Sequence, residues 1–331
     1  MKVNVISETT LFPEESGGSY TAFINSIQLL ESQNVDVIRN SLRQADVTHI
    51  HSIGPYALYK LYTSKRTVIT SHMLPDTFIG NFKGGKSLQG VIKSYLRFFY
   101  NKADIIVSLN NESKQDLIRM GVKTKIMSLP NPINTTVFKK DKKLREKGRA
   151  ELGITSDEKV VVGAGQLISR KGIKDFIAVA RAFPDITFLW AGGKTFKLLN
   201  AETNEEKKLL QVLPKNVRVL GQMSYADMPK LFNLADIFFF PSYQETQGMV
   251  IIEAAACGLP LVLRDLPAYK TLYKDYYSAC KTNDDFVEAI KKLSTSKENY
   301  KNAIAQSEKV TEMYTFEELG EKLLTIYRQL D

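Results

Sequence analysis

Two α/β domains, each built on a parallel sheet, are the architecture this chain of 331 residues predicts. Short apolar runs alternate with amphipathic helical patterns in both halves, as a parallel sheet with helical crossovers requires. A stiff stretch, Leu129-Pro-Asn-Pro-Ile-Asn-Thr-Thr-Val-Phe138, separates the halves, and the composition shifts at once to Lys139-Lys-Asp-Lys-Lys143. The length suits two domains of roughly 130 to 200 residues.

In the first half the expected strands are 2–7, 35–38, 47–51, 67–72, 104–108 and 125–129, and helical patterns cover 19–33, 56–63, 87–101 and 112–120. Gly121 closes the last of these helices. Ligands of such sheets bind beyond the carboxyl ends of the strands, which puts the Gly17-Gly18 loop, His51 and His72 at one edge. From the residues alone Gly17-Gly18 is a flexible turn. His49, His51 and His72 are the only histidines. They lack helical His-x-x-x-His spacing and a cysteine partner, so no metal site is expected. His49 and His51 alternate along one strand and are expected to face opposite sides. Residues 83–102 hold Lys83, Lys86, Lys93, Arg97 and Lys102 and no acid. As a helix, Leu88, Val91, Ile92, Tyr95 and Phe99 share one face, with Lys86, Lys93 and Arg97 opposite. Such a helix is either a core helix with a solvated basic face or one that lies on a membrane surface.

In the second half the expected strands are 160–164, 186–191, 217–220, 237–240 and 261–263, and amphipathic helices cover 284–294, 298 onward and 315–330. Gly163-Ala-Gly165-Gln-Leu-Ile-Ser-Arg170-Lys171-Gly172 links the first strand to a helix starting near Ile173. It lacks the third glycine of a dinucleotide fingerprint, because position 168 is Ile, which leaves phosphate binding at the tip of the loop. Gly192 and Gly193 end the next strand, and Ser224 is expected to cap a helix after a turn at Gly221.

A formal net charge of +9 calls for an anionic partner: nucleic acid, an acidic membrane surface or a nucleotide substrate. A nucleic-acid module needs aromatics and cations along an exposed strand face or recognition helix; none stands out, so no nucleic acid is expected. No apolar run approaches the ~18 residues of a spanning helix. The start, Met1-Lys-Val-Asn-Val-Ile-Ser7, is strand-like rather than a leader. Cys257 and Cys280 form no metal or redox spacing. A cytoplasmic, reduced protein is expected.

The most informative stretch runs from Phe240 to Pro260. A buried strand ends at Pro241-Ser242, a polar loop carries Glu245, and an Ala-rich helix from about Gln247 holds Glu253 before Gly258 and Pro260 stop it. Gly248 lets a ligand approach the backbone, and free amides there suit a phosphate or a sugar hydroxyl.

The string Pro241-Ser-x-x-Glu245-x-x-Gly248-x-x-x-x-Glu253-Ala-x-Ala-x-Gly258-x-Pro260 resembles the signature of the retaining glycosyltransferases of family 4. The strings His51-Ser-Ile-Gly-Pro-Tyr56, Ser71-His-Met-Leu-Pro-Asp76, Arg170-Lys-Gly-Ile-x-Asp-Phe176 and Leu263-Arg-Asp-Leu-Pro-x-Tyr269 are similar to those of the compact glycolipid synthases of Gram-positive bacteria. The resemblance covers essentially the whole chain.

It implies the GT-B fold, two Rossmann-like α/β domains facing each other across a cleft. The acceptor-side domain would be residues 1–133 and the nucleotide-sugar domain 134–314, with a last helix, 315–331, packed back on the first. Glu245 would meet the donor sugar and Glu253 the ribose hydroxyls, with Thr246, Gln247, Gly248, Met249 and Val250 around the donor. Lys171 resembles the family's diphosphate-binding lysine. The arginine usual after the second glycine of that loop is Gln166 here, with Arg170 as a substitute. Gly17 and Gly18 would lie near the donor phosphates and acceptor, and Gly192 near the nucleotide. His72 resembles the cleft histidine beside the donor sugar, the plainer reading being a hydrogen-bonded loop residue. Pro132 stands where the family often has Gly, and Arg264-Asp265 where small residues are common.

The implied reaction moves glucose or galactose from UDP-glucose or UDP-galactose to diacylglycerol or monoglucosyl-diacylglycerol, as in lipoteichoic acid anchor synthesis. It passes an oxocarbenium-like transition state, with charge building on the departing diphosphate. Configuration would be retained, the leaving phosphate oxygen taking the acceptor's proton. No Asp-x-Asp occurs in the chain, so no metal cofactor is expected. The enzyme would be peripheral at the inner face of the cell membrane, with Lys86, Lys93 and Arg97 toward the anionic surface and lipid acceptor. A soluble or polysaccharide acceptor, a nucleotide-sugar epimerase and a basic nucleic-acid-binding module are the alternatives.

Overall fold

The computed structural model describes residues 1–11, 17–74, 89–193 and 210–330. Two compact units emerge: Met1–Asn134 with Met313–Asp331, and Thr135–Glu312. Lys83, Lys86, Leu88, Glu14, Glu15, Asp76 and Lys194 lie outside the described residues.

The first unit has six parallel strands: β1 (Lys2–Ile6), β2 (Asp36–Arg39), β3 (Val47–Ile50), β4 (Thr67–Thr70), β5 (Ile105–Ser108) and β6 (Lys125–Ser128), in the order β2-β1-β3-β4-β5-β6. All residues of β3, β4 and β5 are buried, as expected for central strands covered on both faces. One core joins Ile6, Ile50, Ile69 and Ile106 of the sheet to Leu96, Phe99, Tyr100 and Leu117 of the helices. Strand order reverses between β1 and β3, and the crevice beyond their carboxyl ends is where ligands of such sheets settle. The Glu8 carboxylate accepts from Ser52 Oγ (2.6 Å) and from the amides of Gly54 (2.9 Å) and Tyr56 (2.7 Å), seating the start of helix Pro55–Thr63 at that edge.

The chain leaves and re-enters this unit at one place. Asn25 donates to the Pro132 carbonyl (2.9 Å), and the Ile133 amide donates to the Tyr314 carbonyl (2.8 Å). Thr315 then caps helix Phe316–Arg328, which packs on helix Gly18–Ser32.

The second unit holds β7 (Val160–Ala164), β8 (Thr187–Ala191), β9 (Val217–Gly221), β10 (Ile237–Phe240), β11 (Leu261–Arg264) and β12 (Ser278–Cys280), in the order β12-β11-β10-β7-β8-β9 and again all parallel. Order reverses between β7 and β10. Asp236, just before β10, accepts from Arg145 (2.7 Å), Arg149 (3.0 Å) and the Val160 amide (2.8 Å). It thereby locks helix Lys142–Leu152, capped by Asp141, to the sheet.

Several elements depart from expectation. Helices Lys142–Leu152 and Pro267–Tyr273 and the three-residue edge strand β12 are additional. Asp227, not Ser224, precedes helix Met228–Leu234; the Ser224 hydroxyl instead bonds Asp227 within the preceding turn. Residues two apart on a strand share a face, so His49 and His51 lie together, ring centroids 4.4 Å apart, rather than on opposite sides.

Candidate active site

Parallel pairing of β7 with β10 puts the loops after both strands at the same edge of the second sheet, at its point of reversal. The loop after β7 ends in a turn of 3₁₀ helix, Ser169–Lys171, and Gly172 starts helix Ile173–Ala180. Gly172 is left-handed (φ 75°), and a Cβ there would fall 2.4 Å from the Pro241 carbonyl oxygen. Only glycine brings the two loops this close. The Arg170 carbonyl accepts from the Tyr243 amide (2.8 Å) and from Ser242 Oγ (3.1 Å), sewing one loop to the other.

Three of the expected residues meet here. Lys171 Nζ donates to Glu245 Oε1 at 2.5 Å, and Ser242 Oγ donates to the same oxygen at 2.7 Å. Arg170 Nη1 donates to the Gln244 carbonyl (2.9 Å) and lies 3.7 Å from Glu245 Oε1. The Glu245 side chain is 7% exposed and that of Lys171 14%. Burial by itself would raise the Glu245 carboxyl, but Lys171, Arg170 and Ser242 outweigh it and hold the group below the ordinary carboxylate range. Burial lowers Lys171, only partly offset by Glu245. The result is two basic side chains on one carboxylate in a site largely withdrawn from water. Such an arrangement can both hold an anion and face a developing positive centre.

Thr246, Gln247 and Gly248 continue from Glu245, with Gly248 (φ 76°) leading into helix Met249–Ala256. Tyr273 Oη donates to the Gln247 carbonyl and fixes the turn. Met249 is 5% exposed, whereas Val250 is partly exposed at the helix start. Glu253, one turn further, is 2% exposed. Gly192 closes β8 against the same edge: its amide donates to the Gly221 carbonyl (2.7 Å), and a Cβ there would fall 1.9 Å from the Gly165 carbonyl oxygen. A backbone-packing role is thus already sufficient to require glycine at this position.

Arg264 has a part in the site that its unusual identity in the sequence does not disclose. At the end of β11 its guanidinium donates to Asp175 (2.5 Å), to the Pro241 carbonyl (3.0 Å) and to the Lys281 carbonyl (3.2 Å), and stacks 3.9 Å from the Tyr243 ring centroid. It therefore shapes the loop that delivers Glu245. Only the tertiary approach of β11 to β10 reveals this.

In the first unit, Gly17 and Gly18 are exposed at the start of helix Gly18–Ser32, with no capping side chain. His51 and His72 follow β3 and β4. His51 Nδ1 and His72 Nε2 are 2.9 Å apart with stacked rings, and His49 lies between the hydroxyls of Tyr327 (2.7 Å) and Thr70 (2.7 Å). His49 and His51 are 2% exposed and His72 is half-buried. Burial drives all three toward the neutral form, His49 down to about 3 and His72 to about 4.

Helix Gln89–Tyr100 carries the remaining expected cations. Ile92, Tyr95, Leu96, Phe99 and Tyr100 face the core, the 3–4 spacing of an amphipathic stripe. Val91, one residue outside that stripe, is 68% exposed rather than on the core face. Lys93 and Arg97 are exposed, as are Phe98, Tyr59 and Tyr62. Lys102 Nζ sits 5.3 Å from the Tyr62 ring and 5.7 Å from the Phe98 ring, drawing helix Pro55–Thr63 into the same basic and aromatic surface.

Two glycosyltransferase family matches define the class of protein. Residues 145–310 match the family described as Glycosyl transferases group 1, and residues 3–137 the one described as Glycosyltransferase Family 4. The chain belongs to the family 4 glycosyltransferases and is a glycosyltransferase by that membership. Over 99% of its length it is 32% identical to an alpha-galactosylglucosyldiacylglycerol synthase of Streptococcus pneumoniae, 90% of which is covered. It is 28% identical over its whole length to a processive diacylglycerol alpha-glucosyltransferase of Acholeplasma laidlawii, 98% covered. Its fold is similar to that of sucrose-phosphate synthase from Thermosynechococcus elongatus (TM-score 0.79, 16% identity, 99% and 98% of the two chains) and of Anabaena HepE in complex with UDP-glucose (TM-score 0.76, 16% identity, 99% and 100%).

Proposed function

We propose that this protein is a retaining hexosyltransferase that moves glucose or galactose from a UDP-sugar to diacylglycerol or monoglucosyl-diacylglycerol at an anionic membrane surface. The observation that carries the reading is full-length similarity to two enzymes whose names specify diacylglycerol-based acceptors. Lys171, with Arg170 and the amides after Gly248, receives the diphosphate, and Glu245 faces the sugar. The paired cations then stabilise the charge that develops on the leaving group. Glu253 serves the ribose, and His72 with Gly17 and Gly18 serves the sugar and acceptor.

No helix among the described residues is long and apolar enough to cross a membrane. The surface around Val91, Phe98, Tyr62 and Lys102, beside Lys93 and Arg97, has the composition of an interfacial face. Each cation near an anionic leaflet adds about 1 kcal/mol. Replacing Lys93 and Arg97 by Glu is expected to weaken sedimentation with phosphatidylglycerol vesicles; unchanged binding would reduce this helix to a core element.

The activity itself is tested with labelled UDP-glucose or UDP-galactose and liposomes containing either diacylglycerol or monoglucosyl-diacylglycerol, with a metal chelator present. Label should enter lipid with one donor–acceptor pair. Release of UDP only with soluble sugars would discard the lipid acceptor.

A further inference from the structure

We infer that His51 is a positioning residue that holds His72 in the tautomer carrying its proton on Nδ1, so that His72 presents an N–H donor away from His51. This rests on the reading of His72 as the residue beside the transferred sugar. His51 Nδ1 and His72 Nε2 are 2.9 Å apart, so a single proton lies between the two neutral rings. Two arrangements satisfy that contact. If His72 Nε2 donates, the His51 proton sits on Nε2, a buried atom with no hydrogen-bond partner. If His51 Nδ1 donates, its Nε2 keeps only a lone pair and His72 carries its proton on Nδ1. A buried N–H without an acceptor is the rarer defect, and leaving such a donor unmet is costly. The second arrangement therefore prevails.

Neighbouring groups keep the His51 ring in place. The His49 ring lies 4.4 Å away, and His49 is itself held between Thr70 on β4 and Tyr327 on helix Phe316–Arg328. Phe23 of helix Gly18–Ser32 approaches His51 edge-to-face at 6.1 Å. His51 is 2% exposed and cannot swing out to reverse the bond. An Nδ1–H donor on His72 suits a sugar hydroxyl oxygen, whereas a bare Nδ1 would need the hydroxyl to donate instead. A one-proton choice between a buried and a half-buried ring thus selects which side of a hydroxyl the site can meet.

With only three histidines in the chain, long-range ¹H–¹⁵N spectra of the whole ¹⁵N-labelled protein at pH 7.5 resolve each ring. His72 and His51 should both be protonated on Nδ1. His72 protonated on Nε2 would overturn the inference, and this measurement needs no variant. His51→Phe, which removes the donor, should return His72 to Nε2–H and lower kcat/KM for transfer about tenfold. His51→Asn, whose amide can donate from near the Nδ1 position, should restore both. An unchanged His72 tautomer in a folded His51→Phe protein also overturns the inference. A changed tautomer with unchanged transfer keeps the positioning role of His51 and instead removes His72 from the sugar site.

Discussion

Each sheet reverses its strand order once, the first near its edge between β1 and β3 and the second at its centre between β7 and β10, and the two crevices differ in their electrostatics. Beyond β7 and β10, Glu245, Lys171 and Arg170 are charged, paired and partly withdrawn from water. At the ends of β3 and β4 stand three imidazoles, which burial keeps neutral and which bond to one another and to hydroxyls. The one carboxylate described at this edge, Glu8, is taken up by Ser52 and by the Gly54 and Tyr56 amides rather than by a cation. On the proposed function, the two crevices answer to the two halves of a glycosyl transfer. A departing diphosphate needs cations held in place before it arrives, because their solvation has already been given up. A sugar or glycerol hydroxyl needs oriented neutral donors and acceptors, for which a formal charge would add desolvation cost without an ionic partner.

Breaking the charged side is expected to have the largest consequence where the charge is structural. Asp236→Ala leaves Arg145 and Arg149 without their carboxylate in the second unit, and losing one partner of a buried ion pair costs roughly 3–5 kcal/mol. Urea unfolding should register a loss of that order; a shift below ~1 kcal/mol would mean the cluster is solvent-compensated. At the crevice itself, Glu245→Ala and Lys171→Ala should each lower turnover at least about tenfold, or ~1.4 kcal/mol of transition-state stabilisation. Wild-type rates in either variant would remove that residue from the site.

The neutral side is sharpened by pH. His49 is pushed down to about 3 and His72 to about 4 from an ordinary 6.5, so below pH 6.5 the unfolded chain binds protons that the folded chain refuses. Stability is therefore full above about pH 6.5 and falls as pH drops toward those lower values. Each fully shifted ring contributes up to ~1.4 kcal/mol per pH unit. His49 is the better buried of the two and should dominate. Urea midpoints at pH 7.5 and 5.5 test this, and a midpoint that does not fall would contradict rings buried in the neutral form. The smallest effect is expected from Tyr327→Phe, which takes one hydroxyl from His49 and should cost about 1 kcal/mol in thermal or urea unfolding. No loss would show that the last helix is anchored without this bond.

Legibility in the sequence followed the range of the interactions. β7 and β10 are apolar runs bounded by glycine or proline, and their ends agree with the local pattern residue for residue. The Phe240–Pro260 string likewise announces a strand, a loop carboxylate and a helix, since every part of it is contiguous. What stayed hidden depends on distant pairing. Arg264 meets Asp175 and Pro241 only because β11 lies beside β10. His51 meets His72 only through the register of β3 on β4. The edge strand β12 is three residues long with one of them exposed, too short to show a period. Helix Lys142–Leu152 is so rich in charge that its burial, through Arg149 and Gly148, becomes visible only once Asp236 and Leu234 pack against it.

Retaining transfer to a glycerolipid is tested most directly by the anomeric configuration of the product. The glycolipid made from UDP-α-glucose or UDP-α-galactose on vesicles would be extracted and its anomeric proton coupling read by NMR. An α-linked hexosyl-glycerolipid is the expected result. A β linkage, or label found only in free sugar, would contradict it.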